Sequence, residues 1–175
     1  MTALFASVAA AAALPDSAVL LAAAKSANHA AALAALEKKP DPNLTDSDGS
    51  TALLWAVHHD DVEVVKRLIA AGADVKAANA YGATPMSEAA VVADAAVLDA
   101  LLRAGAEVDS ANPDGQTALM VVARSGNAAA AELLLERGAN VNAREQRKGQ
   151  TALMWATAES QPAMVKTLLA HGADA

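Results

Sequence analysis

The sequence predicts an all-α solenoid of stacked helix–turn–helix units joined by hairpin-like loops. Three observations lead there. Gly49, Gly82 and Gly115 stand 33 residues apart, and Gly149 follows after 34. Thr51, Thr84, Thr117 and Thr151 keep the same interval, as do Gly72, Gly105, Gly138 and Gly172. Between these markers each register carries a short apolar helix and then a longer one. A period of this length marks units that bury their apolar faces by stacking on neighbours, so the units define the fold.

The composition suits such a stack. Of the 175 residues, 50 are Ala, and only 2% are aromatic. Ala is the best helix former and lets helices approach closely, so the core is thin and built of Ala, Leu and Val. The net charge is −7 and the pI about 4.9. That argues against nucleic-acid binding as the main task, which needs a basic face. The charge is uneven: residues 41–120 hold 13 acids and 4 bases, whereas residues 121–175 hold 5 acids and 6 bases. Such a face is either a solvated surface or a complement to a basic partner. There is no Cys, which removes disulfides, thiol catalysis and Cys-based zinc sites.

Residues 1–14 carry no charge and precede Pro15-Asp16. They match the apolar region of a secretory signal, with small-residue cleavage options at Ala11–Ala13, although a basic segment before them is missing. The alternative is a helical extension on the first unit. Export to the periplasm and residence in the cytoplasm therefore both stay open. No stretch reaches the about 20 apolar residues that a membrane span needs.

The repeat domain covers residues 15–175, with units at 17–45, 46–78, 79–111, 112–144 and 145–175. In the first unit Asp16 or Ser17 is expected to cap a helix, since a side-chain oxygen there accepts from free first-turn amides. A helix pair over 19–25 and 29–38 follows, ended by Pro40-Asp41-Pro42. The second unit opens on the turn-rich Asp46-Ser47-Asp48-Gly49-Ser50. Thr51 begins a short helix over 51–59, and Asp60-Asp61 separates it from a longer one over 62–70. Val62, Val65, Leu68 and Ile69 fall on one face of that helix, and Gly72 ends it. The third unit places Pro85 in a first helical turn, where its missing amide costs nothing, and Val97, Leu98, Leu101 and Leu102 in the second helix. The fourth carries Leu133, Leu134 and Leu135. The fifth carries Leu153, Met154, Met164, Val165, Leu168 and Leu169, and its hairpin at 145–148 holds one extra residue.

These residues resemble the ankyrin repeat, in a bacterial-type form, whose pattern includes Thr-Pro-Leu-His-x-Ala and a later Gly-Ala-Asp-Val-Asn. Here the first half reads TALLWA at 51–56, TPMSEA at 84–89, TALMVV at 117–122 and TALMWA at 151–156. The second half reads GADVKA at 72–77, GAEVDS at 105–110, GANVNA at 138–143 and GADA at 172–175. The likeness spans residues 17–175. The family His is replaced by Leu54, Ser87, Met120 and Met154, so these units are expected to rely more on packing. Only Asn28-His29 is similar to the family's Gly-His turn, opposite Asp60-Asp61, Ala93-Asp94, Gly126-Asn127 and Ser160-Gln161.

The resemblance implies a non-catalytic protein-binding module whose partner lies on a concave face of hairpin tips and first helices. Carried over by position, that face includes Asp48, Trp55, His58, His59, Tyr81, Val91, Asp114, Arg124, Arg147, Lys148, Trp155 and Glu159. Exposed Trp, Tyr and Arg favour binding hot spots. The recurrence of Trp55 and Trp155 at one register also fits a packing role. His58-His59 is the strongest metal signal, yet adjacent helical residues point about 100° apart, whereas helical chelates use i and i+4. No phosphate loop, nucleophile–base pair or cofactor site emerges, so no enzyme is expected. The final register stops at 172–175 with an ordinary apolar set, where a terminal unit needs a polar outer face. This favours further repeats, or another domain against which this unit packs in a larger regulatory or structural protein.

Overall fold

The computed structural model describes residues 15–175, and both readings of residues 1–14 lie outside them. Ten helices follow one another in five pairs: α1 (Asp16–Lys25) with α2 (His29–Leu36), α3 (Ala52–His58) with α4 (Val62–Ala70), α5 (Pro85–Val92) with α6 (Ala95–Arg103), α7 (Ala118–Ser125) with α8 (Ala128–Glu136), and α9 (Ala152–Ala158) with α10 (Pro162–Ala170). The first helices of the pairs stack in succession as one layer, and the second helices stack as another. The core is the seam between the layers. Leu68, Leu101, Leu134 and Leu168 occupy one repeating position, each fully buried. Burying each leucine contributes about 2 kcal/mol. Four such positions therefore clamp four units in the same way.

The helix starts repeat as well. Thr51, Thr84 and Thr151 sit before α3, α5 and α9, each accepting from the amide three residues on. Ser87 completes a reciprocal pair with Thr84, accepting from the Thr84 amide at 2.9 Å. Thr117 holds the same place before α7, but its Oγ1 is buried without a partner. At the position of the family His, Leu54 and Met120 are buried, Ser87 hydrogen-bonds to Thr84, and Met154 is exposed, so packing replaces the His in two of the four units.

Several expectations need correction. The cap of α1 is neither Asp16 nor Ser17. Pro15, with its fixed φ, precedes a helix that already includes Asp16, and no side chain caps it. Ser17 instead accepts from the Asp41 amide at 3.0 Å, and Asp16 meets Lys38 at 2.8 Å. Helix α2 ends at Leu36 rather than 38, and Thr51 caps α3 instead of beginning it. The buried face of α4 is Val64, Val65 and Leu68, with Val62 and Ile69 only partly covered. Asp61 caps α4 by accepting from the Val64 amide. The first inter-helix turn also aligns one residue earlier than expected. Asn28, Asp61, Asp94 and Asn127 share the capping position, so Ala27-Asn28, not Asn28-His29, corresponds to Asp60-Asp61. The residue before each cap takes positive φ: Ala27, Asp60, Ala93, Gly126 and Ser160.

The last unit differs on its outer side. Met154 is 47% exposed, although Met120 at the same position is 1% exposed, and Leu169 is 45% exposed. In earlier units the next pair of helices covers these positions.

Candidate partner-binding groove

The hairpin tips are shaped by one recurring device. Asp46, Asn79 and Asn112 each turn a side-chain oxygen back onto the amides two and four residues later. Short Asx side chains favour such turns because they imitate a backbone acceptor. Glu145 takes this role in the fifth unit, where the loop is one residue longer. Its carboxylate is buried and accepts from the Arg147, Lys148 and Gln150 amides at 2.6, 2.7 and 3.0 Å. Those bonds, led by that from Gln150, hold the Glu145 carboxyl below the usual glutamate value.

Successive tips are linked by backbone bonds at two of three junctions. Ala80 donates to the Asp48 carbonyl at 2.8 Å, and Gln146 to the Asp114 carbonyl at 3.2 Å. The intermediate position is Pro113, which has no amide hydrogen. Its ring instead lies over Gly82, where a Cβ would come within 2.5 Å of Pro113 Cγ. Gly82 has φ of 73°, so this site favours Gly for two reasons.

Between the tips and the first helices runs a line of three adjoining cavities. The first, about 250 Å³, is lined by Asp48, Trp55, His58, Tyr81 and Glu88 among others. The second, also about 250 Å³, shares Tyr81 and Glu88 and adds Val91, Pro113, Gln116, Val121 and Arg124. The third, about 220 Å³, shares Arg124 and adds Gln150, Trp155, Ala158 and Glu159. Shared walls make them one trough across units two to five.

Of the residues expected on this face, Asp48, Trp55, His58, Tyr81, Val91, Arg124, Trp155 and Glu159 line the trough. His59 does not: it turns toward unit one, where Nε2 lies 3.2 Å from the Lys25 carbonyl. Asp114 and Arg147 lie outside the cavities and pair with each other at 2.7 Å. Lys148 is exposed on the tip beside them. Glu88 and Val121 were not anticipated as groove residues. They stand 33 and 66 residues after Trp55, so the repeat interval itself was the signal.

The two ends of the trough differ in charge. Trp55 donates from Nε1 to Asp46 at 3.1 Å, and Lys25 meets the same carboxylate at 2.7 Å while lying 5.0 Å from the indole centroid. The Lys25 bond, joined by the Ser50 and Asp48 amides, lowers the Asp46 carboxyl to about 2 against the cost of burial. His58 Nδ1 is 2.7 Å from Glu88 and packs edge-on against Trp55. At the other end Arg124 lies 5.3 Å from the centroid of Trp155, which is 9% exposed. Among the described residues no group of three or more His, Asp or Glu side chains is arranged to hold a metal ion, and no helix is long and apolar enough to cross a membrane.

No curated protein matches the chain. The family model for ankyrin repeats in three copies matches residues 20–112 and again residues 88–175, so both halves of the array satisfy it. With paired helices, Gly-terminated units and Asx-braced tips recurring at the required interval, the chain belongs to the ankyrin repeat family.

Proposed function

We propose that this chain is a non-catalytic interaction module that holds a protein segment in the trough between its hairpin tips and first helices. Ankyrin repeats are in general protein–protein interaction modules, which supports the coarse reading. The observation that carries the finer one is the continuity of the three cavities through Tyr81 and Arg124. Tyr81 is 71% exposed at a tip. A large aromatic held at the surface contributes to binding at little conformational cost. Ala substitution at Tyr81 and Arg124, singly and together, tests the reading in a capture assay with tagged protein. Each variant should weaken capture of a partner while leaving the helical signal and melting temperature intact. Full capture by the double variant would refute the assignment.

A second reading is favoured by the exposed Met154 and Leu169. On it, the outer side of unit five packs against a further folded element, and the chain acts as a regulatory or structural segment. Replacing both residues with polar ones should then raise solubility and sharpen the size-exclusion profile. Equal monodispersity of the two forms would count against it.

A further inference from the structure

The array stacks one of its own cations on each tryptophan. Lys25 lies over Trp55 and Arg124 over Trp155. Tyr81 is the third aromatic of the trough, the most exposed, and among the described residues no cation lies over its ring. It lines the first cavity together with Trp55, Asp48 and Glu88. Among the described residues Asp48 makes no ion pair; its side chain accepts from the Ser47 hydroxyl at 3.5 Å and feels the Lys25 charge from beyond contact. Glu88 is bonded to His58 through one oxygen, and a carboxylate has about four acceptor positions, so capacity remains. The cavity thus offers a bare π-face and two carboxylates in a half-enclosed volume of about 250 Å³.

We infer that this cavity takes an arginine side chain of the partner segment, with the guanidinium stacked on Tyr81 and its forked donors shared by Asp48 and Glu88. A planar guanidinium stacks on aromatic faces and addresses carboxylates through several N–H groups, which a lysine ammonium does less well. The surrounding charge agrees, since acids outnumber bases 13 to 4 over residues 41–120. The inference rests on the groove reading and specifies the chemistry of one anchor.

The test is an NMR titration of the isotope-labelled chain with the peptide acetyl-Gly-Arg-Gly-amide at fixed ionic strength. Its Lys and Glu counterparts serve as comparison probes. The Arg probe should shift the Trp55 indole N–H and the Tyr81 and Gly82 amides saturably, leaving the Trp155 indole in place. The Lys probe should bind several-fold more weakly, and the Glu probe should produce no saturable shift. Tyr81→Ala and Glu88→Gln should abolish saturation, while Tyr81→Phe restores it by keeping the π-face. Uniform shifts along the chain, or wild-type binding by Tyr81→Ala, would overturn the arginine pocket. The two proposals fail separately. If Arg124→Ala abolishes partner capture and the Arg probe never saturates, the groove stands and the pocket falls. If the probe binds at Tyr81 while capture ignores every groove substitution, the pocket stands and the groove falls.

Discussion

Trp55 and Trp155 occupy the same register of α3 and α9, yet they live in different surroundings. Trp55 is half-buried, stacked on His59 and bonded through its indole N–H to Asp46, which Lys25 also holds. Trp155 is nearly covered, and among the described residues its N–H has no partner. The difference originates in the hairpins. Asp46 serves two amides with one oxygen and keeps the other for Trp55 and Lys25. Glu145, at the corresponding place, spends both oxygens on the three amides of a loop one residue longer. Each ring carries a cation, but Trp55 faces a tip carboxylate with an oxygen to spare, whereas the carboxylate of the longer fifth tip is fully used by its own loop. The repeat decides where a side chain stands, and non-repeating neighbours decide what it does there.

The largest expected effect separates the two rings by burial. Trp155→Ala should cost about 3 kcal/mol of stability, the range for a large core aromatic, and Trp55→Ala about half that because its ring is partly solvated. Urea unfolding monitored by circular dichroism measures both, and the reverse order would break the comparison. Next come the two carboxylates. Asp46→Ala should cost about 2 kcal/mol, since several bonds to a charged acceptor are lost at once, and Glu145→Ala should lower stability for the same reason. They should part in the indole spectrum: the Trp55 N–H signal moves in the first variant and stays in the second.

Acid sharpens the contrast further. The folded-state value of Asp46 lies near 2, below its ordinary 3.8. The stabilisation is therefore complete above about pH 4 and lost as pH falls toward about 2, amounting to roughly 2 kcal/mol. Asp46→Asn should flatten that part of the stability curve; an unchanged acid limb would show that the carboxylate contributes nothing there. The smallest effect has the opposite sign. His29 is raised above 6.5, chiefly by its bond to Asp61 at 2.8 Å. Its contribution is present below about pH 6.5 and fades as pH rises through the raised value. Hydrogen-exchange protection factors, corrected for the intrinsic pH dependence of exchange, should fall slightly at the junction of units one and two as pH rises through the raised value, and His29→Ala should remove that fall.

Much of this architecture was legible by counting. The Gly and Thr intervals located the helix pairs, and the tip register located Asp48, Tyr81 and Asp114. Glu88 escapes a local reading because its meaning lies in alignment with Trp55 and contact with His58, 30 residues away. His58 and His59 could not be told apart locally. The turn of the helix aims the first at the trough and the second at unit one, which is apparent only once unit one is in place. The α1 cap and the turn register were misread for a related reason. Asp16 and Ser17 both offer suitable oxygens, yet the helix starts after Pro15 and uses neither, while Asn28 itself takes the capping place. The exposure of Met154 and burial of Met120 likewise depend on what lies next in the stack.

Pro113 has a mechanical consequence. A stack of neighbour-only contacts behaves as an elastic strip, bending most easily where its edge is least cross-linked. Units three and four are fastened away from the tips by Arg137 to Asp99 and by the Asn140 amide to Asp109. At the tips, among the described residues, no hydrogen bond or ion pair joins them, and the proline ring rests on Gly82. The strip can therefore flex on that edge while staying anchored on the other. The opening beside Tyr81 is the dimension of the trough most free to adjust to the width of whatever fills it.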